Sequence, residues 1–174
     1  MRKARKALSN LNAPYLTSLK ALIETQSKET LVNWCVEYSE KHLLPLYSRH
    51  VPADPRPAAA LTAARTWLAG KIKLPEAKAA ILACHAAARE SEGEPAAQAA
   101  ARAIGQSASS IHSARHCIGL ALYGALALAY EELGPETDWA LVEAFAAAEC
   151  LRMEQALRTE AVENEAHPAK IAWK

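Results

Sequence analysis

Two histidines four residues apart, His112 and His116, are the first side chains in this sequence with a spacing that suits chemistry. Residues four apart share one face of a helix, and two imidazoles on one face can ligate a zinc ion. His85, on a separate predicted helix, is the candidate third ligand. The surroundings do not extend the pattern, because residue 113 is Ser and no HExxH occurs, which excludes the metalloprotease arrangement. The competing reading of the same three residues is a hydrogen-bonded network that holds small-residue helices together. Cys84 beside His85, and Cys117 beside His116, look like nucleophile and base. Adjacent helical residues point about 100° apart and do not face each other, so these cysteines are expected to be core thiols. No GxSxG, Walker loop or GxGxxG is present. No enzyme activity and no cofactor are expected, with a histidine-based metal enzyme kept as the alternative.

Charge is distributed unevenly. Residues 1–91 carry 14 basic and 7 acidic side chains, whereas residues 92–174 carry 6 basic and 12 acidic ones. Ten of those acids fall within 131–165, against Arg152 and Arg158. A run of this kind is either a solvated face or an acidic surface that steers a basic partner. Glu149 falls inside the apolar stripe Val142, Ala146, Cys150, Met153 and Leu157, so it needs a partner, expected from an arginine of the basic half. Arg65, Arg89, Arg102 and Arg115 each follow an alanine, and either line a groove or lie over alanine surface. The formal net charge of +1 argues against a general nucleic-acid binder.

The elements that must position these residues are helical. Alanine fills 40 of 174 positions, aromatics make up 6% and there are six glycines. Alanine is the best helix former and a poor strand former. The pattern predicts an all-α, single-domain bundle of about six to seven helices, with residues 1–13 as a flexible basic tail, 14–166 as the domain and 167–174 as a C-terminal tail. A short helix covers Tyr15 to Gln26, and Ser27 caps the next. Pro45 is expected to kink or end that second helix near Leu44. Asp54 caps a third helix closed by Gly70, Pro75 opens a fourth, and a fifth spans about Ala96 to Ser109. The sixth, Ser113 to Leu133, is apolar nearly all round and should be buried, with Gly119 and Gly124 allowing close approach. Thr137 or Asp138 caps a final helix to about Glu163. The longest apolar run, Cys117 to Tyr130, is too short for a membrane span of about twenty residues. The basic start, Met1 to Lys6, is not followed by an apolar stretch. With four cysteines and no CxxC pair, the expected setting is a reducing cytoplasm.

An ordered series of residues between Leu31 and Tyr130 resembles the all-α immunity proteins found beside bacterial polymorphic toxins. The series begins with Trp34 and Tyr38 and continues through Leu44-Pro45-Leu46-Tyr47 to the Asp-x-Arg-Pro corner Asp54, Arg56 and Pro57. An alanine helix with Trp67 and Gly70 follows, then His85 to Arg89, then Arg102 and Gly105, then His112 and His116 with Gly119 and Tyr123. The resemblance implies a cytoplasmic protein that binds and neutralises a cognate toxin by protein–protein contact, with neither nucleic acid nor membrane as partner. Combined with the charge pattern, it puts the contact on the acidic final helix, at Glu143, Glu154, Arg158 and Glu160. A helical scaffold without chemistry is the remaining alternative.

Overall fold

The computed structural model describes residues 4–173. Its helices are α1 (Thr17–Ile23), α2 (Lys28–Tyr38), α3 (Leu44–His50), α4 (Arg56–Leu68), α5 (Leu74–Glu90), α6 (Pro95–Ser109), α7 (Ala125–Leu133) and α8 (Trp139–Glu160). A π turn joins α2 to α3 without a break in the helical run, so the described α-helices form seven runs in a single core. All of the described secondary structure is helical. Among the described residues no helix is long and apolar enough to cross a membrane.

Alanine decides the layout. α6 lies in the middle, against α3, α4, α5, α7 and the end of α2. Twelve of its residues are buried, from Ala96 to Ser109 on every side of the helix. Side chains this small let several neighbours approach one axis, and the packing of each alanine replaces what a few large side chains would supply. α8 packs on α7, α2 and α1. The indole of Trp34, fully buried on α2, donates to Met153 O of α8 at 2.9 Å.

The local signals behave as their chemistry requires. Ser27 Oγ accepts from Thr30 N at 3.2 Å and Asp138 Oδ1 from Ala140 N at 2.9 Å. Gly70 takes φ +71° after α4, and Lys71 N bonds back to Thr66 O at 3.0 Å. Three expectations need correction. Pro45 does not end the helical run, which continues to His50. The turn Ser39–Leu43 widens to a π-helix, with Leu44 N–H bonded to Ser39 O five residues back. Pro45 then stands in the first turn of α3, where its missing N–H costs nothing. The segment Ser113 to Leu133 is buried as expected, but it is not one α-helix: it runs as 3₁₀ (Ala114–Ile118), π (Leu120–Gly124) and then α7. α8 ends at Glu160, three residues short of the expected boundary.

Neither end of the described chain is loose. Leu8 is 1% exposed, its N–H bonds to Leu122 O at 2.9 Å, and Tyr130 Oη donates to Arg5 O at 3.0 Å. The Arg5 guanidinium lies 4.0 Å from the centre of the Trp139 ring. Within the expected tail 1–13, Leu8 and Ala13 are buried and Ala4, Ala7 and Leu11 are half-buried, while Met1–Lys3 lie outside the described residues. After α8 the chain is clamped by the buried Gln26 amide. Val162 N donates to Gln26 Oε1 at 2.8 Å, and Gln26 Nε2 donates to Val162 O at 3.2 Å. Ala169 N adds a bond to Gln26 O at 2.8 Å.

Candidate functional site

The acidic final helix is less acidic on its surface than in its sequence. Glu149 is 6% exposed, and its partner is Arg152 on the next turn of the same helix, not an arginine of the basic half. Glu154, also 6% exposed, accepts from Ser18 Oγ at 2.6 Å and from Arg158 Nη2 at 2.6 Å. A buried carboxylate needs such company, because an unpaired charge in the interior is strongly unfavourable. Of the four residues expected to meet a partner, Arg158 is exposed, Glu143 and Glu160 are half-buried, and Glu154 sits beneath Arg158 and orients it. Glu143 lies near Tyr15, whose hydroxyl is pushed up to about 12 by burial and by that carboxylate. Glu160 lies beside Glu37, Lys41 and Arg65; burial and the Glu37 charge hold its carboxyl above the usual range. Seventeen residues of helix separate Glu143 from Glu160, roughly 25 Å at 1.5 Å per residue. The four do not make one patch.

The three histidines fall in one neighbourhood. The rings of His112 and His116 are 5.1 Å apart between centres. His85, on α5, lies over α6 at Gly105, where an added Cβ would come within 2.6 Å of its ring. His116 Nδ1 is 2.8 Å from Gln106 Oε1; with that oxygen accepting, Nδ1 carries the proton. Gln106 is itself fixed by Gly119, since a Cβ there would meet Gln106 Cβ at 2.4 Å. Burial holds all three imidazoles below the ordinary histidine value, and every other cause is a cation. For His85 these are Arg102 and Arg89, for His116 they are His112, Arg115 and His85, and for His112 they are Lys78 and Lys28. Among the described residues no group of three His, Cys, Asp or Glu is placed to hold a metal ion. The cysteines are buried and free. Cys84 Sγ donates to Ala101 O at 3.3 Å, and burial pushes its thiol up to about 12, far from a nucleophile.

Two ionic constructions went unseen in the sequence or were seen only in part. At the Asp-x-Arg-Pro corner, Asp54 accepts from Arg56 Nε at 2.8 Å, from Arg56 Nη2 at 2.7 Å, from Arg56 N at 3.0 Å and from Tyr47 Oη at 2.7 Å. The Arg56 guanidinium holds the Asp54 carboxyl down at about 2, and it reaches on to Glu90 of α5 at 2.6 Å. The corner thus locks α3, α4 and α5 together, which is an architectural role. The second construction is centred on His50 at the end of α3. Its Nε2 is 2.6 Å from Glu131 of α7 and its Nδ1 is 3.2 Å from Glu94 before α6, while Arg49 also binds Glu131 at 2.8 Å. The Glu131 hydrogen bond, the largest cause, raises the His50 pKa. Only residue type marked His50 in the sequence; its partners are 44 and 81 positions away.

Compared with known proteins, residues 21–156 match a family model described as Imm-5 like putative immunity protein. No curated protein and no solved structure matches the chain. The matched span runs from within α1 to within α8, so it takes in the Asp54 corner, the three histidines, the π turns and most of the final helix. It reaches beyond the Leu31–Tyr130 series at both ends. A match over most of the sequence settles the grouping: the chain belongs to the family of Imm-5 like putative immunity proteins.

Proposed function

We propose that the protein binds a cognate bacterial toxin and neutralises it by protein–protein contact, without catalysis. The observation that carries this reading is the family match over residues 21–156. The structure supports it in two ways. The thiols are buried and the histidines lie among cations, so neither is set up as a nucleophile with a base. The tight corner at Asp54 and the alanine-packed α6 make a stiff body, and a rigid surface loses little entropy on binding. On α8 the proposed contacts are exposed Arg158 and half-buried Glu143 and Glu160, with Glu154 holding Arg158.

The test is growth rescue together with a binding measurement. A candidate toxin drawn from the neighbouring genes is expressed with and without this protein, and the purified pair is titrated by calorimetry. The expected result is restored growth and a stoichiometric complex. A toxin that stays lethal and shows no heat of binding would overturn the proposal. Replacing Glu143 and Glu160 with Lys is expected to slow association with a basic toxin, most visibly at low salt; unchanged rates would remove α8 from the contact.

A further inference from the structure

On the face made by α5, α6 and the 3₁₀ turn, the charge left without a counter-charge among the described residues is cationic. Residues 95–130 contain no Asp or Glu at all. The acids of the preceding helix and turn are all engaged elsewhere: Glu76 with Lys73 N, Glu90 with Arg56, Glu92 with Lys6 and Glu94 with His50. On α5, Lys78, Leu82, His85 and Arg89 fall at helical spacing on one face, and Leu82 is 66% exposed. Beside them lie Arg102 of α6 and Arg115 and His116 of the 3₁₀ turn. Among the described residues no carboxylate pairs with Lys78, Arg89, Arg102 or Arg115. Arg102 Nε is buried and has no hydrogen-bond partner there either. This face adjoins a groove of about 220 Å³, whose lining includes Leu11, Leu122, Tyr123 and Trp173 with Arg115 and His116 on it.

We infer that this face, the α5 stripe with Arg102, Arg115 and the Tyr123–Trp173 groove, docks an acidic polypeptide segment of the protein partner that also carries apolar side chains. The inference deepens the toxin-binding reading and rests on it. A row of cations with no internal counter-charge attracts carboxylates over a Debye length of about 8 Å at physiological salt. The aromatic and aliphatic lining, together with exposed Leu82, favours a ligand with its own apolar groups over a bare phosphate chain. A carboxylate arriving here would also favour protonation of His85 and His116, which the surrounding cations now oppose.

The experiment uses the full chain, a fluorescent synthetic peptide of glutamate and leucine, and a single-stranded oligonucleotide of equal charge. Anisotropy is read at low and high salt for the wild type, Arg89→Glu/Arg115→Glu and Arg102→Gln. Both residues of the double variant are exposed, so its fold is expected to survive, with circular dichroism as the check. The expected result is peptide binding that weakens about tenfold in the double variant and is lost with salt. Equal binding by the variant, or tighter binding of the oligonucleotide than of the peptide, would overturn the inference. The toxin provides the second arm. If the double variant neutralises it as well as the wild type, the docking face is wrong and the immunity reading stands. If the wild type fails to neutralise it yet binds the peptide through these arginines, the face stands and the immunity reading falls.

Discussion

α8 and the α5–α6 face are both rich in charge, but the charge is used differently. On α8, Glu149 and Glu154 point inward and are answered by Arg152 and Arg158 of their own helix. On the α5–α6 face Arg89 and Arg115 are exposed, Arg102 is half-buried, and among the described residues no carboxylate answers them. A formal count along the chain favours α8 as the charged surface, whereas the side-chain geometry favours the other face. Glu149 and Glu154 are consumed in packing, which leaves Glu143, Glu160 and Arg158 as the α8 charges proposed to meet a partner.

The sharpest way to break this comparison is to reverse charges in each region, one on α8 and two on the α5–α6 face, and read stability. Glu154→Lys would bury a cation beside Arg158, and chemical denaturation is expected to show a loss of about 3 kcal/mol. Arg89→Glu/Arg115→Glu should stay within about 0.5 kcal/mol of the wild type per site, because those side chains hold nothing together. A large loss from the arginine pair would make them structural and end the contrast. A second test concerns the Gln106–His116 pair. Gly119→Ala places a Cβ against Gln106, and a loss of about 1–3 kcal/mol in thermal or denaturant unfolding is expected. An unchanged midpoint would show that Gln106 can move and that His116 is not held.

Acidity separates the regions again, with opposite signs. The His50 pKa is raised by Glu131 and then Glu94, so the folded state binds its proton more tightly than the unfolded chain. Its contribution is fully present below the unfolded value of about 6.5 and fades as pH rises through the folded value. His85, His112 and His116 are lowered, so their region loses stability as pH falls from about 6.5 toward their folded values. Histidine titration by NMR checks both: the His50 resonance should shift at higher pH than the other three. His50→Gln should flatten the high-pH decline in stability and leave the low-pH decline in place. The smallest effect expected is from zinc, which should leave the melting temperature unmoved; a rise abolished by His112→Ala would restore the metal reading.

Much of the fold was legible because its signals are local. Ser27 and Asp138 cap as read, Gly70 closes α4 with a positive φ, and alanine content alone implies helices. Pro45 misled because the π turn that absorbs it depends on the Ser39–Leu43 backbone widening against α6, where Ser39 Oγ donates to Ser107 Oγ at 3.0 Å. The site was legible only as a set of residue types. That His85 lies over Gly105 and that Arg102 lacks a carboxylate are facts of helix packing between distant segments. Glu149 was rightly read as needing a partner, and the answer was three residues away, where the sequence already showed Arg152.

The clamp at Gln26 bears on how the protein can be handled. Its amide bonds Val162 through both donor and acceptor on the segment that leaves α8, and its own carbonyl takes Ala169 N. A truncation after Ala161 would leave the buried Gln26 Oε1 without its Val162 donor and Nε2 with only Thr25 Oγ1, at about 1–3 kcal/mol for the group left unsatisfied. Shortened versions made for crystallisation or fusion should therefore keep the chain through Ala169. Proteases that nick the exposed stretch between Val162 and Pro168 would loosen the start of α2 as well as the end of the chain.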